Sequence, residues 1–154
     1  FLLREIPSTE DGDFTEGKFI ERYNADLAGG IGNLVARVVT LANKFEIQST
    51  KSLPASLREA LQAGETNCKE ALDEFKFNEA LMAIWELISF CDKYIERKRP
   101  WEENKKQKEV IGNLLSVIGI IAELLLPFLP ETAEKILEQL KSKKSRPLFP
   151  GLNP

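Results

Sequence analysis

The sequence predicts an all-α fold, a bundle of about five helices. Three observations carry the prediction. Apolar residues recur at three- and four-residue steps through several long stretches, the spacing that gathers them on one face of a helix. No run shows the sustained apolar–polar alternation of a half-buried strand. Between the stretches stand glycines, prolines and cap-forming side chains, the local signals that start and stop helices.

Residues 1–13 read as extended or loop text, with Pro7 and a turn at Asp11-Gly12-Asp13. Asp13 and Glu16, three apart, resemble a capping box. Ile20, Tyr23, Leu27, Ile31, Leu34, Val35, Val38, Ala42 and Phe45 then form one apolar stripe, and Gly29-Gly30 is the expected place for a kink. Residues 46–53 read as a loop. Ser56 and Glu59 suggest a second capping box after Pro54. Leu57, Ala60, Leu61, Cys68, Ala71, Leu72 and Phe75 make the next stripe, weakened near Gly64. A third helix starts near Asn78, with Leu81, Ile84, Trp85, Ile88, Cys91 and Ile95 on one face, and ends before Arg99-Pro100 because proline disfavours helix at the preceding residue. The fourth runs from about Glu102 to Leu126. Its second half is apolar nearly all round, which predicts a helix surrounded by the others rather than a membrane span, since it holds Asn113, Ser116 and Glu123. Pro127 and Pro130 break it. Pro130 suits the first turn of a last short helix, with Ala133, Ile136, Leu137 and Leu140 inward. Three regions follow: a connector at 1–13, a helical bundle at 14–141, and a basic, proline-containing tail at 142–154.

With 154 residues, 43% of them hydrophobic and 29% charged, the chain has the means to bury one core. A net charge of −3 argues against indiscriminate nucleic-acid binding but leaves room for a local basic patch. There is no histidine, which removes Ser-His and Cys-His catalysis and histidine metal sites. No phosphate-binding glycine loop is present. Cys68 and Cys91 fit no zinc or redox spacing and read as buried free thiols. No catalytic residue and no metal site are expected. Phe1 opens the chain without a signal-peptide pattern, so a fragment of a longer protein is expected.

Three clusters carry possible chemistry. Asn33, Arg37, Thr40 and Lys44 line one helix face away from the apolar stripe, offering donors to base edges and phosphates; a solvated face is the plainer reading. Lys98-Arg99-Pro100-Trp101 sets a tryptophan among charges. Its ring is either a stacking platform for an unpaired base or a hydrophobic staple on the fourth helix. Lys141, Lys143, Lys144 and Arg146 read as phosphate contacts or as a solvated helix end.

These features fall in an order that resembles the methionyl-tRNA synthetase family. Phe1 to Pro7 followed by Asp11-Gly12-Asp13-Phe14 is similar to the stretch joining the catalytic domain to the helical domain. Arg22-Tyr23-Asn24-Ala25-Asp26-Leu27-Ala28, then Gly32-Asn33-Leu34-Val35-Ala36-Arg37, resembles the first bundle helix. Tyr94-Ile95 with Pro100-Trp101 resembles the second anticodon-contacting element, and Arg146-Pro147-Leu148-Phe149-Pro150 the close of the synthetase core. The likeness runs along essentially the whole chain.

The resemblance implies a bundle of the class I aminoacyl-tRNA synthetase anticodon-binding type. It implies a non-catalytic domain reading the CAU anticodon of methionine tRNA through Asn33, Arg37, Pro100 and Trp101, with Trp101 stacking on a base. Thr40, Lys44, Tyr94, Lys98 and Arg99 would support. The parent reaction, ATP-dependent and magnesium-requiring, would belong to a catalytic domain in cis; the HIGH and KMSKS signatures are absent here, and this part alone would need no cofactor. The expected location is cytoplasmic, with neither DNA nor membrane as partner. Asp92 departs from the family, which often has asparagine there; a carboxylate repels phosphate. Two other readings stand beside this one: the domain of a sister synthetase for leucine, isoleucine or valine, and a helical protein–protein module with Trp101 as anchor.

Overall fold

The computed structural model describes residues 1–6, 13–102 and 106–153. Pro7, the Asp11-Gly12 part of the expected turn and Glu103 to Lys105 lie outside the described residues. Those described form helices and connecting loops: α1 (Leu2–Glu5), α2 (Glu16–Arg22), a wide π-type stretch (Tyr23–Gly32), α3 (Asn33–Lys44), α4 (Ala55–Asp73), α5 (Phe77–Lys98), α6 (Gln107–Leu125) and α7 (Pro130–Ser142).

The first long stretch is capped two residues later than expected. Thr15, not Asp13, is the cap: its hydroxyl accepts from the Lys18 amide at 3.3 Å. The expected kink falls at Gly30, whose φ of −84° and ψ of −106° leave the helix. Just beyond, a Cβ on Gly32 would stand 2.8 Å from the Leu27 carbonyl oxygen, so the wide turn closes only around a glycine. The kink divides labour. Beyond it, α3 buries Leu34, Val35, Val38, Val39 and Ala42 and turns its polar side outward. Before it, the helix meets both chain ends.

Those ends are more ordered than loop text suggests. Leu2–Glu5 forms a helical turn packed against α5. Arg4 pairs with Asp26 at 2.9 Å and lies over Trp85. At the other end Asn24 accepts from the Leu152 amide and donates to its carbonyl, at 2.9 and 2.8 Å. Tyr23 meets Phe149 edge-on, and Gln139 clamps the backbone of Arg146 from both sides.

Helix α4 begins at Ala55 directly after the extended Pro54, with no side-chain cap, so Ser56 already lies inside it. It passes through Gly64 unbroken, because that glycine is buried against Leu87 of α5. Phe75 is not inward: the chain has left the helix by then, and Phe75 takes a left-handed turn conformation with its ring 70% exposed. The hairpin that follows sends α5 back along α4.

Helix α6 is the centre of the core, as its all-round apolar text predicts. It buries Val110, Ile111, Leu114, Leu115, Val117, Ile118, Ile121, Ala122 and Leu125, beneath α3, α5 and α7. It starts at Gln107 rather than near Glu102, because residues 99–102 are used in a turn. The 46–53 loop straps across it: Ser116 donates to the Thr50 carbonyl at 2.6 Å, and Thr50 donates to the Gly112 carbonyl at 3.2 Å. By length and composition the stretch Glu16–Lys44 would also cross a membrane, but the Gly30 kink and the buried α3 face make it part of this core.

Candidate nucleic-acid interface

The C-terminal end of α5 and the outer face of α3 meet beside the turn that carries Trp101. Helix α5 ends at Lys98, and Arg99 caps it in the left-handed region (φ 43°) while its amide still bonds the Ile95 carbonyl. The Glu102 amide then donates to the Arg99 carbonyl at 3.0 Å, closing a tight turn around Pro100 and Trp101. Proline at the second position suits such a turn because its φ is already set. Pro100 is buried, and its carbonyl accepts from the buried Gln107 amide at 2.6 Å. The turn is thus pinned to the first residue of α6.

Trp101 emerges from this turn 41% exposed. A staple on α6 is ruled out by position, since the helix cap is Lys106 and a staple residue stands immediately before the cap. Its neighbour is Arg37: the guanidinium carbon lies 5.3 Å from the ring centroid, while one nitrogen donates to Glu96 Oε1 at 2.6 Å. Two of the residues singled out in the sequence, far apart in the chain, are therefore in contact. Pro100 fixes the turn between α5 and α6 that presents the ring.

The remaining residues are placed less uniformly. Asn33 opens α3, one turn before Arg37, and Thr40 and Lys44 continue the exposed row; the Lys44 ammonium lies over Phe45. Lys98 sits over the Tyr94 ring, and Arg99 reaches Glu102 at 3.3 Å. Tyr94 is a correction: only 4% exposed, its ring belongs to the core and offers no free face to a base. The exposed Lys141 and Lys144 stand at the end of α7 and just beyond it.

Two carboxylates complete the site. Glu96 holds Arg37, and Asp92, one turn earlier on α5, is half-buried with Oδ1 lacking any hydrogen-bond partner. Burial pushes the Asp92 carboxyl up to about 6; Arg37 opposes that rise and Glu96 adds to it. Glu96 was visible in the sequence only as one more charge near Trp101. Its role as Arg37's partner depends on how α3 crosses α5, which no local pattern reports.

A helical bundle presenting a half-exposed tryptophan, a guanidinium and a row of donors on one side has the make-up of a single-strand RNA reader. Residues 55–150 match the family model "Anticodon-binding domain of tRNA ligase", and residues 1–39 match "tRNA synthetases class I (M)". The chain belongs to the family of anticodon-binding domains of tRNA ligases. The methionine–tRNA ligase of Clostridium acetobutylicum is 39% identical over 91% of this chain and 24% of its own length. That of Caldanaerobacter subterraneus is 36% identical over the same shares. The apo methionyl-tRNA synthetase of Mycobacterium tuberculosis superposes with a TM-score of 0.86 at 26% identity, covering all of this chain and 38% of that one. The chain spans about a quarter of the length of the curated relatives it matches. Arg37 lies in one family match and Trp101 in the other.

Proposed function

We propose that this chain is the tRNA-reading domain of a methionine–tRNA ligase, and that it docks methionine tRNA through its CAU anticodon. Trp101 stacks on an unpaired anticodon base. Arg37 and Asn33 bond base edges and backbone nearby, and Pro100 holds the ring in place. Thr40, Lys44, Lys98 and Arg99 supply flanking contacts to phosphate. The observation that carries this reading is the pairing of a 41%-exposed Trp101 with Arg37, each from a segment similar to methionine–tRNA ligases. Aromatic stacking contributes about 1–3 kcal/mol per base, enough to make one ring decisive.

The activation of methionine belongs, on this reading, to a catalytic domain in cis that holds ATP and magnesium. This chain, which has no histidine and hence no HIGH motif, is inactive by itself. Its part is to convert anticodon identity into placement of the acceptor end at that distant centre. A cytoplasmic setting goes with the same reading.

The test is calorimetric titration of the folded chain with methionine-tRNA anticodon stem-loops, CAU against single-base variants and against isoleucine and valine anticodons. The reading expects CAU to bind most tightly. Equal affinity for all, declining with salt, would leave a phosphate binder; preference for another anticodon would move the chain to a sister synthetase.

A further inference from the structure

Arg37 occupies one face of the Trp101 ring. Its guanidinium lies over Trp101 at 5.3 Å from the centroid and is anchored to Glu96 at 2.6 Å. A base arriving on that face has to displace it. A guanidinium that leaves the ring stays cheap to bury only with an anion in reach, and the second carboxylate on which Arg37 acts is Asp92. It stands on α5 four residues before Glu96, so both carboxylates point from one face of the helix toward α3. Its Oδ1 is buried without a hydrogen-bond partner. Arg37 from α3 and Glu96 from its own helix are the charges that act on it; Cys91 beside it is a neutral thiol, pushed up to about 12 by burial.

We propose that Asp92 is a positioning residue for RNA binding: when a base takes Arg37's place on Trp101, the guanidinium transfers from Glu96 to the unsatisfied oxygen of Asp92. This rests on the reading of Trp101 as the base platform. Glu96, 60% exposed in its side chain, returns to water cheaply, whereas Asp92 gains the partner its burial lacks. A guanidinium bound to one carboxylate keeps further N–H groups for a base edge. The transfer also has a proton signature. In the resting state burial keeps the Asp92 carboxyl near 6; pairing with Arg37 lowers it, so binding releases a proton and weakens as pH falls below that value.

Two measurements decide it. The first needs no RNA. In a Trp85→Phe, Glu96→Ala chain, Arg37 has lost its resting anchor and moves to Asp92 once that carboxyl ionises. Removing Glu96 and pairing with Arg37 both lower the Asp92 carboxyl, so acrylamide access to Trp101 rises as pH is raised from about 3.5 to about 7, and adding Asp92→Asn abolishes the rise. A flat profile in the chain that retains Asp92 overturns the transfer. The second uses the wild-type chain: its affinity for the CAU stem-loop is expected to be roughly fourfold weaker at pH 5.5 than at pH 7.5, while Asp92→Asn binds more weakly and without that slope. CAU preference with flat profiles in both measurements removes the Asp92 role alone. Absence of any CAU preference removes the anticodon reading, and the acrylamide profile still decides where Arg37 goes.

Discussion

Arg37 and Trp101 form a cation–π pair across the gap between α3 and the turn after α5, 5.3 Å from guanidinium carbon to ring centroid, with Glu96 holding the guanidinium at 2.6 Å. The pair joins the two parts of the chain that match different family models. It also gives the ring a defined orientation before any ligand arrives.

Trp101→Ala should therefore weaken binding of the CAU stem-loop by about 1–3 kcal/mol. The fold should not notice, because the ring is 41% exposed and outside the core. Calorimetric affinity together with the helical circular dichroism signal checks both halves. Unchanged affinity in a folded variant removes Trp101 from the site.

Gln107 is expected to act through the turn alone. Its amide donates to the Pro100 carbonyl at 2.6 Å in a buried setting, so Gln107→Ala should cost about 1–3 kcal/mol of stability, the range for leaving a buried acceptor unpaired. It should also lower RNA affinity, but add nothing in a Trp101→Ala background, since its effect passes through that ring. An additive loss in the double variant would mean that Gln107 itself reaches the RNA.

The positions of α4 to α7 and the kink at Gly30 were legible because periodicity and proline report local geometry. Pro130 opens α7 and the all-apolar α6 is the central helix, as their text implies. Helix starts were less legible: Thr15 caps α2 in place of Asp13, and α4 starts after Pro54 with no side-chain cap, which leaves Ser56 inside the first turn. Phe75 misled because an apolar residue in step with a stripe still leaves it once the helix ends. At the candidate site, the residue types of Arg37 and Trp101 were readable. Their contact was not, nor was the burial of Tyr94 or the pairing with Glu96. All three depend on how α3, α5 and the turn pack together, which sequence spacing does not encode.

Asp92 should make stability fall as pH rises. Burial raises its carboxyl from the ordinary 3.8 to about 6 in the folded state. Both states are protonated below about 4; the folded state then holds its proton longer, and above about 6 the full penalty applies. Asp92→Asn should accordingly stabilise the chain at pH 7.5 by about 1 kcal/mol, after allowance for its partial exposure. That gain should vanish by about pH 4. Urea titrations at the two pH values measure the difference. A gain that persists in acid would point to packing rather than charge.

Gly112 marks where the 46–53 strap touches α6. A Cβ there would stand 2.9 Å from the Gln48 carbonyl oxygen, a backbone atom. Gly112→Ala should lift the strap and cost about 1–3 kcal/mol, despite the better helix propensity of alanine. Thermal melting checks the sign; stabilisation would show that the strap yields freely.

Cys68 and Cys91 are both free and buried, and burial raises both thiols, Cys91 to about 12. At pH 8 neither should react with an aromatic disulfide reagent while the chain is folded. Both should react promptly in denaturant. Rapid modification of the native chain would contradict the packing of α4 on α5.

The most direct test of anticodon reading follows the fluorescence of Trp101 itself, in a Trp85→Phe chain titrated with stem-loops carrying CAU or one altered base. Quenching by CAU is expected at a clearly lower RNA concentration than by any variant, with the same rank order at two salt concentrations. Indistinguishable quenching by all the stem-loops would contradict anticodon reading.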